Sequence, residues 1–296
     1  MRSVLLIGSS GQLGSDLRRR WEEDRPGDRL ICLTHAEVEV ANRDSVREAV
    51  LHHRAAVVIN TSAYHRVDAV EDDPERAFLV NAAGPHHLAL ACREADAVLV
   101  HFSTDYVFSG AADRPYIEDD AVGAVNVYGV SKAAGEMLVR NAWGKHFIVR
   151  TSGLYGVAGS SGKGGNFVET MLRLATAGQE IRVVDDQVLT PTHTAVLAAQ
   201  VAALVESAAY GTYHATCQGE CSWYEFAKEI FRQAGLAPAL RPQTTAESGA
   251  RAARPARSVL ENRGLQLLGL DQMPAWEEAL SVYLAARSAR ETAPAS

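Results

Sequence analysis

The chain has 296 residues, 47% of them apolar and 22% charged, which is typical of a globular protein with one large core or two lobes. Lys and Arg number 29 against 36 Asp and Glu, and the net charge of -7 argues against a nucleic-acid-binding protein. The first apolar run is too short for a signal-peptide core, and no later run approaches the roughly 18 residues that span a bilayer. We therefore expect a soluble cytoplasmic protein that binds neither nucleic acid nor membrane.

The four cysteines indicate neither a disulfide framework nor a metal site. Cys32, Cys92, Cys217 and Cys221 are too few and too scattered to cross-link a chain of this length. Cys217 and Cys221 form a CxxxC pair, but no second pair and no histidine cluster at zinc spacing accompanies them. We expect no bound metal.

A glycine-rich turn follows the first predicted strand. Residues 3–7 read as a buried strand and run directly into the sequence GSSGQLG at residues 8–14, after which Leu13 and Leu17 begin a helical period. Glycines at this spacing tighten the turn, let backbone N–H groups approach a pyrophosphate, and let the helix pack close to the sheet. Strand, glycines and helix in this order predict a dinucleotide site, although a glycine turn without a ligand is the alternative for the bare pattern.

The second predicted strand, residues 29–33, leaves the choice between NADH and NADPH open. An acidic residue at its end would bind the adenosine ribose and favour NAD, whereas a basic residue would accept the additional phosphate of NADP. The strand ends at Thr34 and His35, of which His35 is a weak cation, and Glu37 is predicted to begin the next strand. This pattern favours NADPH slightly.

Strands and helices continue to alternate over about the first half of the chain. The predicted strands are 55–59, 97–102 and 147–150, and the predicted helices are 45–51, 76–92 and 130–140, with an acidic turn at 68–75. Small residues after the strand 55–59 would let a nicotinamide ribose come close. The alternation predicts an α/β fold with a Rossmann-type, doubly wound parallel sheet.

After Gly156 the pattern changes to that of a smaller, mostly helical C-terminal lobe. Residues 158–165 form a glycine and serine loop that we interpret as a lid or hinge. Ser222 and Glu225 predict a capping box at the start of a helix. The predicted helices are 166–177, 195–207 and 223–234, and the predicted strands are 181–184 and 211–215. The predicted domains are a dinucleotide-binding domain at 1–156 with 188–216 returning to it, a substrate lobe at 157–187 and 217–286, and a flexible tail at 287–296.

The segment from Ser103 to Lys132 contains the strongest candidates for catalysis. Ser103 and Thr104 follow an apolar strand, and open α/β sheets bind ligands at the carboxyl ends of their strands. Tyr128 and Lys132 are four residues apart and project from one face of a helix. A nearby ammonium lowers the pKa of a phenol, so Tyr128 would act as a general acid while Thr104 hydrogen-bonds the same substrate oxygen. A lone YxxxK pattern is also compatible with two ordinary surface residues.

Five motifs in a fixed order carry a resemblance to a known family. They are the glycine turn, STDYVFSG from Ser103, YGVSKAAGE from Tyr128, RTSGLYG from Arg150 and GNFVETMLRLA from Gly165. Together they resemble the dTDP-4-dehydrorhamnose reductase family of the extended short-chain dehydrogenase/reductases, over nearly the whole chain. The resemblance implies a reductase that moves hydride from NAD(P)H to C4 of a 4-keto-6-deoxy nucleotide sugar in dTDP-L-rhamnose synthesis.

The resemblance also implies a role for individual residues. Tyr128 would be the general acid, Lys132 would position the nicotinamide ribose and lower the tyrosine pKa, and Thr104 would hydrogen-bond the keto oxygen. The implied cofactor-binding residues are Gly8, Gly11, Gln12, Leu13, Gly14, Asn60, Ser62, Ala63, Tyr64, Tyr128 and Lys132. The implied substrate-binding residues are Thr104, Asp105, Tyr128, Asn166, Phe167 and Arg254.

The same motifs have three alternative interpretations besides a reductase. Sugar-nucleotide dehydratases of this fold carry Asp and Glu after the threonine, whereas Tyr106 follows Asp105 here, so dehydration is disfavoured. A nucleotide-sugar 4-epimerase uses the same Tyr and Lys. A non-catalytic homologue, such as a regulatory subunit of methionine adenosyltransferase, shares the fold and much of the pattern. The epimerase and the non-catalytic homologue stay open.

The chain departs from the family pattern at two positions. His65 stands where the family often has threonine, and Gly153 stands where it has an aromatic residue. The missing aromatic wall would open room near the sugar, so other deoxysugar 4-ketoreductases stay open. Some members bind magnesium at a dimer contact through glutamates, which leaves a homodimer open, but Ser15 and Asp16 give no clear match and we transfer no metal site.

Overall fold

The computed structural model describes residues 2–158 and 165–292. The strands are β1 Ser3–Ile7, β2 Arg29–Leu33, β3 Val57–Asn60, β4 Val98–Thr104, β5 His146–Thr151, β6 Leu154–Tyr155, β7 Ile181–Val184, β8 Val188–Leu189, β9 Thr192–His193, β10 Gly211–His214, β11 Cys221–Ser222 and β12 Leu240–Gln243. The helices are α1 Gln12–Asp24, α2 Arg43–His52, α3 Val67–Asp72, α4 Pro74–Phe78, α5 Gly84–Ala95, α6 Val127–Ala142, α7 Phe167–Thr176, α8 Thr194–Glu206, α9 Trp223–Gln233, α10 Arg263–Leu267 and α11 Trp276–Thr292. A π-helical turn, Leu79–Ala83, joins α4 to α5, and a 3₁₀ turn, Asp105–Val107, follows β4.

Six of the described strands form one parallel sheet in the order β10-β5-β4-β3-β1-β2. Strands such as β1, with the sequence SVLLI, are apolar because helices cover both faces of the sheet. The chain leaves β1 towards β2 on one side and returns to β3 on the other, so the strand order reverses between β1 and β3. The carboxyl ends of the strands at such a reversal form a crevice for ligands. The prediction of a doubly wound parallel sheet is confirmed.

Apolar side chains pack on both faces of the sheet and in a separate cluster of the C-terminal lobe. One face is covered by α1 and α8 through Leu17, Trp21 and Val201, and the other by α2, α5 and α6. Between α6 and β5, the buried Glu136 and Arg150 form a two-bond ion pair at 2.8 and 2.9 Å. The cluster of the C-terminal lobe is built by Tyr155, Val168, Met171, Leu172, Phe226, Ile230, Leu280 and Tyr283.

The structure corrects two local predictions. Residues 68–75 are not a turn but lie in α3 and at the start of α4, where Asp73 caps α4 by accepting from the backbone N–H of Arg76. Acidic side chains are stabilising at helix N-termini, so the same composition suits a helix start. Glu37 does not begin a strand, because its carboxylate accepts from both the backbone and the hydroxyl of Thr34 at 2.8 Å and closes a turn.

The domain boundaries stay our proposal, and the contacts of the strands and helices support it. Residues 188–216 carry β10, which pairs with β5 in the main sheet, and α8, which packs against α1. The substrate lobe includes β7 and β12, which pair with each other, and α9, which packs on α7. The last helix continues to Thr292, so residues 287–292 are helical rather than a flexible tail. The proposed lid at 158–165 falls mainly on residues 159–164, which lie outside the described residues.

Candidate active site

A cleft of about 730 Å³ lies where the carboxyl ends of β1, β3, β4 and β5 meet the C-terminal lobe. Most of the predicted site residues line it: Gly8, Gly11, Gln12, Leu13, Gly14, Ser62, Ala63, Tyr64, Thr104, Asp105, Tyr128, Lys132, Asn166 and Phe167. Asn60 is fully buried behind the wall, and Arg254 lies beside the cleft rather than on it. The sheet therefore brings together residues that are up to 159 positions apart, from Gly8 to Phe167.

The glycine turn has the geometry of an anion cradle. Gly8 has a left-handed backbone, with φ of +81°, and a Cβ on Gly14 would lie 2.2 Å from the carbonyl oxygen of Gly8. Helix α1 starts at Gln12, directly in the cleft, and its N-cap residue, Gly11, has no side chain to cap the first N–H groups. Uncapped N–H groups and the positive end of a helix bind phosphates. The residues present therefore fit the pyrophosphate of a dinucleotide.

A buried chain of hydrogen bonds connects the cleft wall to Lys132. Oδ1 of Asn60 accepts from the backbone N–H of Ser62 at 3.1 Å, so Nδ2 of Asn60 faces Nδ1 of His101, also at 3.1 Å. An amide nitrogen only donates, so Nδ1 of His101 accepts and the proton of the neutral imidazole lies on Nε2. That N–H faces Nζ of Lys132 at 3.3 Å. Two facing donors disfavour the ammonium form of Lys132.

Lys132 is held inside the sheet edge rather than extended into solvent. Its Nζ donates to the carbonyl oxygen of Phe102 at 2.6 Å, and the side chain is 2% exposed. Burial lowers the pKa of Lys132 to about 8, against the opposing charge of Glu136 one helical turn away. Burial, with the charge of Lys132, likewise lowers the pKa of His101 well below its usual value. Lys132 is therefore a cation close to its titration point at the floor of the cleft.

Tyr128 lies in the first turn of α6, which Asn126 caps by accepting from the backbone N–H of Gly129. The phenol is half-buried, faces the cleft and interacts with the hydroxyl of Thr104. Burial raises the pKa of Tyr128, although the hydrogen bond from Thr104 acts in the opposite direction. The sequence predicted that Lys132 lowers the pKa of Tyr128. Among the protein's own groups this is wrong, because the amine of Lys132 points at the Phe102 carbonyl.

The carboxylate of Asp105 is fully engaged by protein hydroxyls. Its Oδ1 contacts the hydroxyl of Thr104 at 3.0 Å, and its Oδ2 contacts the hydroxyls of Ser152 at 2.8 Å and Ser258 at 2.5 Å. The side chain is 4% exposed, and burial raises its pKa. The resemblance implies that Asp105 binds the substrate. These contacts instead favour a role within the protein, because both carboxyl oxygens already have hydroxyl partners.

Asn166 and Arg254 also contact protein groups. Asn166 caps α7 through its Oδ1, and its Nδ2 donates to the carbonyl of Gly156 at 2.9 Å and to Gln12 at 3.2 Å. The guanidinium of Arg254 pairs with Asp68 at 3.0 Å. The resemblance implies that both residues bind the substrate, but within the described residues only Asn166 lines the cleft, and its amide already bonds protein groups.

Aromatic side chains form the wall of the cleft on the side of the C-terminal lobe. Phe167 is half-buried, with its ring 4.6 Å from that of Trp223 and stacked on Phe226 at 5.5 Å. Trp223 and Phe167 both line the cleft, whereas the sequence indicated Trp223 only as the start of a helix. Phe167 therefore packs on the core of the C-terminal lobe and also forms part of the cleft wall.

Two buried hydroxyls to which the sequence assigns no individual role also face the cleft. Ser103 and Thr151 are each 5% exposed, line the cleft, and have no hydrogen-bond partner in the described residues. Buried polar atoms without a partner are costly, so these two hydroxyls fit a bound polar group. Their position at the ends of β4 and β5 was the available signal.

The two departures from the family pattern lie on the cleft. Gly153 has φ of +56°, and a Cβ there would lie 2.8 Å from the side chain of Leu189. No larger residue fits this backbone without rearrangement, and Leu189 takes the space that a side chain at 153 would occupy. The imidazole of His65 contacts the carbonyl of Ala63 at 3.2 Å on the opposite wall.

The sequence model of the RmlD substrate binding domain matches residues 1–288. The chain belongs to the RmlD family. The RmlD relatives include the spore coat polysaccharide biosynthesis protein SpsK of Bacillus subtilis, 42% identical over 97% of this chain and 99% of that protein. A dTDP-4-dehydrorhamnose reductase of Streptomyces griseus is 41% identical over 98% of this chain and 95% of that protein. A crystal structure of the Bacillus anthracis dTDP-4-dehydrorhamnose reductase in complex with NADP superposes with a TM-score of 0.91, at 39% identity over 97% of this chain and 100% of that one.

These similarities confirm the predicted dTDP-4-dehydrorhamnose reductase family, the oxidoreductase class and a nicotinamide dinucleotide cofactor. The Bacillus subtilis relative is named for spore coat polysaccharide synthesis rather than for one ketosugar. The specific substrate of this chain is therefore a matter for proposal. Within the described residues, no helix is both long and apolar enough to cross a membrane.

Proposed function

We propose that this chain reduces the C4 ketone of a 4-keto-6-deoxy nucleotide sugar, with dTDP-4-dehydrorhamnose as the first candidate substrate and NADPH as the preferred reductant. The observation that carries the proposal is the meeting of the Thr104 and Tyr128 hydroxyls beside Lys132, between the glycine turn and the C-terminal lobe. Two hydroxyls at one point suit the single oxygen of a ketone that is becoming an alcohol.

Each side chain has a role that follows from its surroundings. The raised pKa keeps Tyr128 protonated at neutral pH, so the phenol can give its proton to the ketone oxygen as negative charge develops there. Thr104 stabilises the same oxygen by hydrogen bonding. Lys132, fixed by the Phe102 carbonyl, offers its remaining N–H groups to ribose hydroxyls.

The residues that would hold the dinucleotide are the glycine turn with the start of α1, the wall from Ser62 to Tyr64, and Lys132. When bound, the reduced nicotinamide supplies the hydride. His35 and Glu39 line the cleft near the end of β2, and their side chains are 3.4 Å apart. Glu37 is turned back onto Thr34, and the carboxylate of Glu39 accepts from the backbone N–H of Ala41 and pairs with His35. Because both acids already have protein partners, the end of β2 supports the preference for NADPH.

The sugar side of the cleft supports a family of ketosugars rather than one. Gly153 leaves this wall to Leu189 and Trp223, so the sugar would contact an aliphatic and an indole side chain. A relative from Streptomyces niveus, 36% identical, is named dTDP-4-keto-6-deoxy-D-glucose reductase. The panel of substrates must therefore include both the dehydrorhamnose and the 4-keto-6-deoxyglucose nucleotides.

Oxidation of NADPH and of NADH is to be followed with this panel of dTDP-linked ketosugars. We expect stoichiometric oxidation with at least one ketosugar, whereas a 4-epimerase would regenerate its cofactor and consume none. Tyr128→Phe should lower kcat by about 100-fold or more with little change in cofactor affinity. Tyr210→Phe, an exposed phenol in a loop, is the matched control and should behave like the wild type. Wild-type turnover by Tyr128→Phe, or binding without turnover on every ketosugar, would contradict the proposal.

A further inference from the structure

The hydroxyl of Thr104 is surrounded by more partners than its single hydrogen can serve. Its Oγ1 accepts from the backbone N–H of Tyr106 at 3.2 Å, lies 3.0 Å from Oδ1 of Asp105, and interacts with the phenol of Tyr128. A hydroxyl has one hydrogen and two lone pairs. The protonation state of Asp105 therefore decides where the hydrogen of Thr104 can point.

If Asp105 is ionised, Thr104 must point its hydrogen at the carboxylate, because a carboxylate only accepts. Thr104 could then offer a ketone oxygen nothing but a lone pair. Its remaining lone pair would also draw the O–H of Tyr128 away from the substrate. Both hydroxyls of the proposed site would then be turned from the oxygen that they are meant to stabilise.

If Asp105 is protonated, every bond is satisfied. The acid O–H on Oδ1 donates to Thr104, and the second lone pair of Thr104 takes the N–H of Tyr106. The hydrogen of Thr104 is then released from Asp105 and is available to the phenol oxygen of Tyr128 or to a ketone oxygen beside it. Oδ2 of Asp105 becomes the carbonyl-type oxygen and still accepts from both Ser152 and Ser258, at 2.8 and 2.5 Å.

We propose that Asp105 is protonated in the active enzyme and donates to Thr104, so that the hydroxyl hydrogen of Thr104 is free for the ketone oxygen of the substrate. The inference rests on the proposed function, since it assigns Thr104 to that oxygen. Asp105 is a positioning residue, because it acts through Thr104.

The charged and titratable surroundings of Asp105 agree with a neutral acid. Burial raises its pKa, and the bonds from Ser258, Ser152 and Thr104 oppose this rise. The titratable groups whose pKa its charge would raise are the phenols of Tyr106, in the same turn, and Tyr128, from α6. Among the cations, Arg254 interacts with the phenol of Tyr106 and pairs with Asp68.

Asp105→Asn tests the proposal because the amide copies the neutral acid. Its oxygen can take the place of Oδ2 between the two serines, and its N–H can donate to Thr104. We expect Asp105→Asn to keep kcat/KM within about threefold of the wild type, whereas Thr104→Val loses about 100-fold. A loss by Asp105→Asn as large as that of Thr104→Val, in a folded protein with normal cofactor affinity, would overturn the proposal.

Infrared difference spectroscopy of wild type against Asp105→Asn gives a readout that is independent of turnover. At neutral pH we expect the wild type to show the carbonyl band of a protonated carboxylic acid, missing from the variant. If the wild type instead shows an ionised carboxylate band that is missing from Asp105→Asn, the proposal is overturned. Tyr128→Phe tests the proposed function separately from the protonation state of Asp105. If Tyr128→Phe kept wild-type turnover, the proposed function would be contradicted whatever the protonation state of Asp105.

Ser258→Ala provides a second test should the amide variant fail to fold. Ser258 donates to Oδ2 and favours the ionised form, so its removal should raise the pKa of Asp105. Because the protonated acid is the active form, kcat/KM falls as pH rises through that pKa. We expect this fall to move to higher pH in Ser258→Ala, and an unchanged or lower position would overturn the proposal. The separate titration of Lys132 near pH 8 is common to both proteins.

Discussion

At the scale of single residues, the site depends on buried polar side chains whose hydrogen-bond partners are determined by the tertiary structure. The sequence predicted Thr104, Tyr128 and Lys132 correctly as neighbours on one cleft, because strand ends and helix periodicity are local signals. It could not predict that Lys132 points at the Phe102 carbonyl, or that His101 faces it, because these contacts depend on the depth of the side chain in the sheet. The electrostatics of the site are thus set by burial, which spacing in the sequence does not reveal.

The lowered pKa of Lys132 predicts a pH dependence of stability. The pKa is about 8 in the folded protein and 10.5 in the unfolded chain, so the unfolded state binds more protons between these values. The free energy of unfolding of the wild type should therefore rise across this window relative to Lys132→Met, by up to about 3 kcal/mol. Urea unfolding of both proteins at about pH 7.5 and pH 10 measures the difference, in which other titrating groups cancel. A difference that stays constant or shrinks with pH would contradict the buried placement of Lys132.

At the scale of elements, the alternation of strands and helices was read correctly where apolar runs are flanked by turn residues. The bounds of β1 and β2 agree with the predicted ones, and Ser222 and Glu225 form the predicted capping box. The π-helical turn within the predicted helix 76–92 was not foreseen, because its pattern is still helical. This turn places Asn81 where its amide bonds both backbone groups of Tyr64 and the hydroxyl of Ser131. It thereby fixes the cleft wall to α6.

The approach of α6 to the turn after β4 depends on Gly129. A Cβ on Gly129 would lie 2.1 Å from the carbonyl oxygen of Tyr106, which is backbone and cannot move aside cheaply. Gly129→Ala should cost about 1–3 kcal/mol of stability and lower kcat, because it pushes Tyr128 away from Thr104. Gly123→Ala is the matched control, since the nearest atom to its Cβ would be at an ordinary 3.6 Å. Urea unfolding and turnover of the two variants test this, and equal behaviour would show that the contact relaxes freely.

At the scale of the whole molecule, a small set of bonds connects the dinucleotide-binding sheet to the C-terminal lobe. Ser258 of the lobe reaches Asp105 at the end of β4, and Asn166 at the start of α7 reaches Gln12 at the start of α1. The sequence indicated Asn166 correctly as a residue of the cleft. It could not indicate the partner, because Gln12 lies 154 positions away. These bonds therefore connect the cofactor-binding end of the cleft to the position of the substrate lobe.

This connection predicts that Asn166 matters for cofactor binding even without a substrate. Asn166→Ser retains an N-cap oxygen for α7 but is too short to hold Gln12 and the Gly156 carbonyl. We expect its thermal stability to fall little and its dissociation constant for NADPH, measured by fluorescence titration without sugar nucleotide, to rise about threefold to tenfold, the worth of one lost hydrogen bond. Thr176→Val, which removes an exposed hydroxyl that bonds the Arg173 carbonyl at the other end of the same helix, is the control and should leave that constant unchanged. If Asn166 instead served as a ligand of the sugar-nucleotide diphosphate, Asn166→Ser would weaken only nucleotide-sugar binding, and the NADPH titration would match that of the wild type.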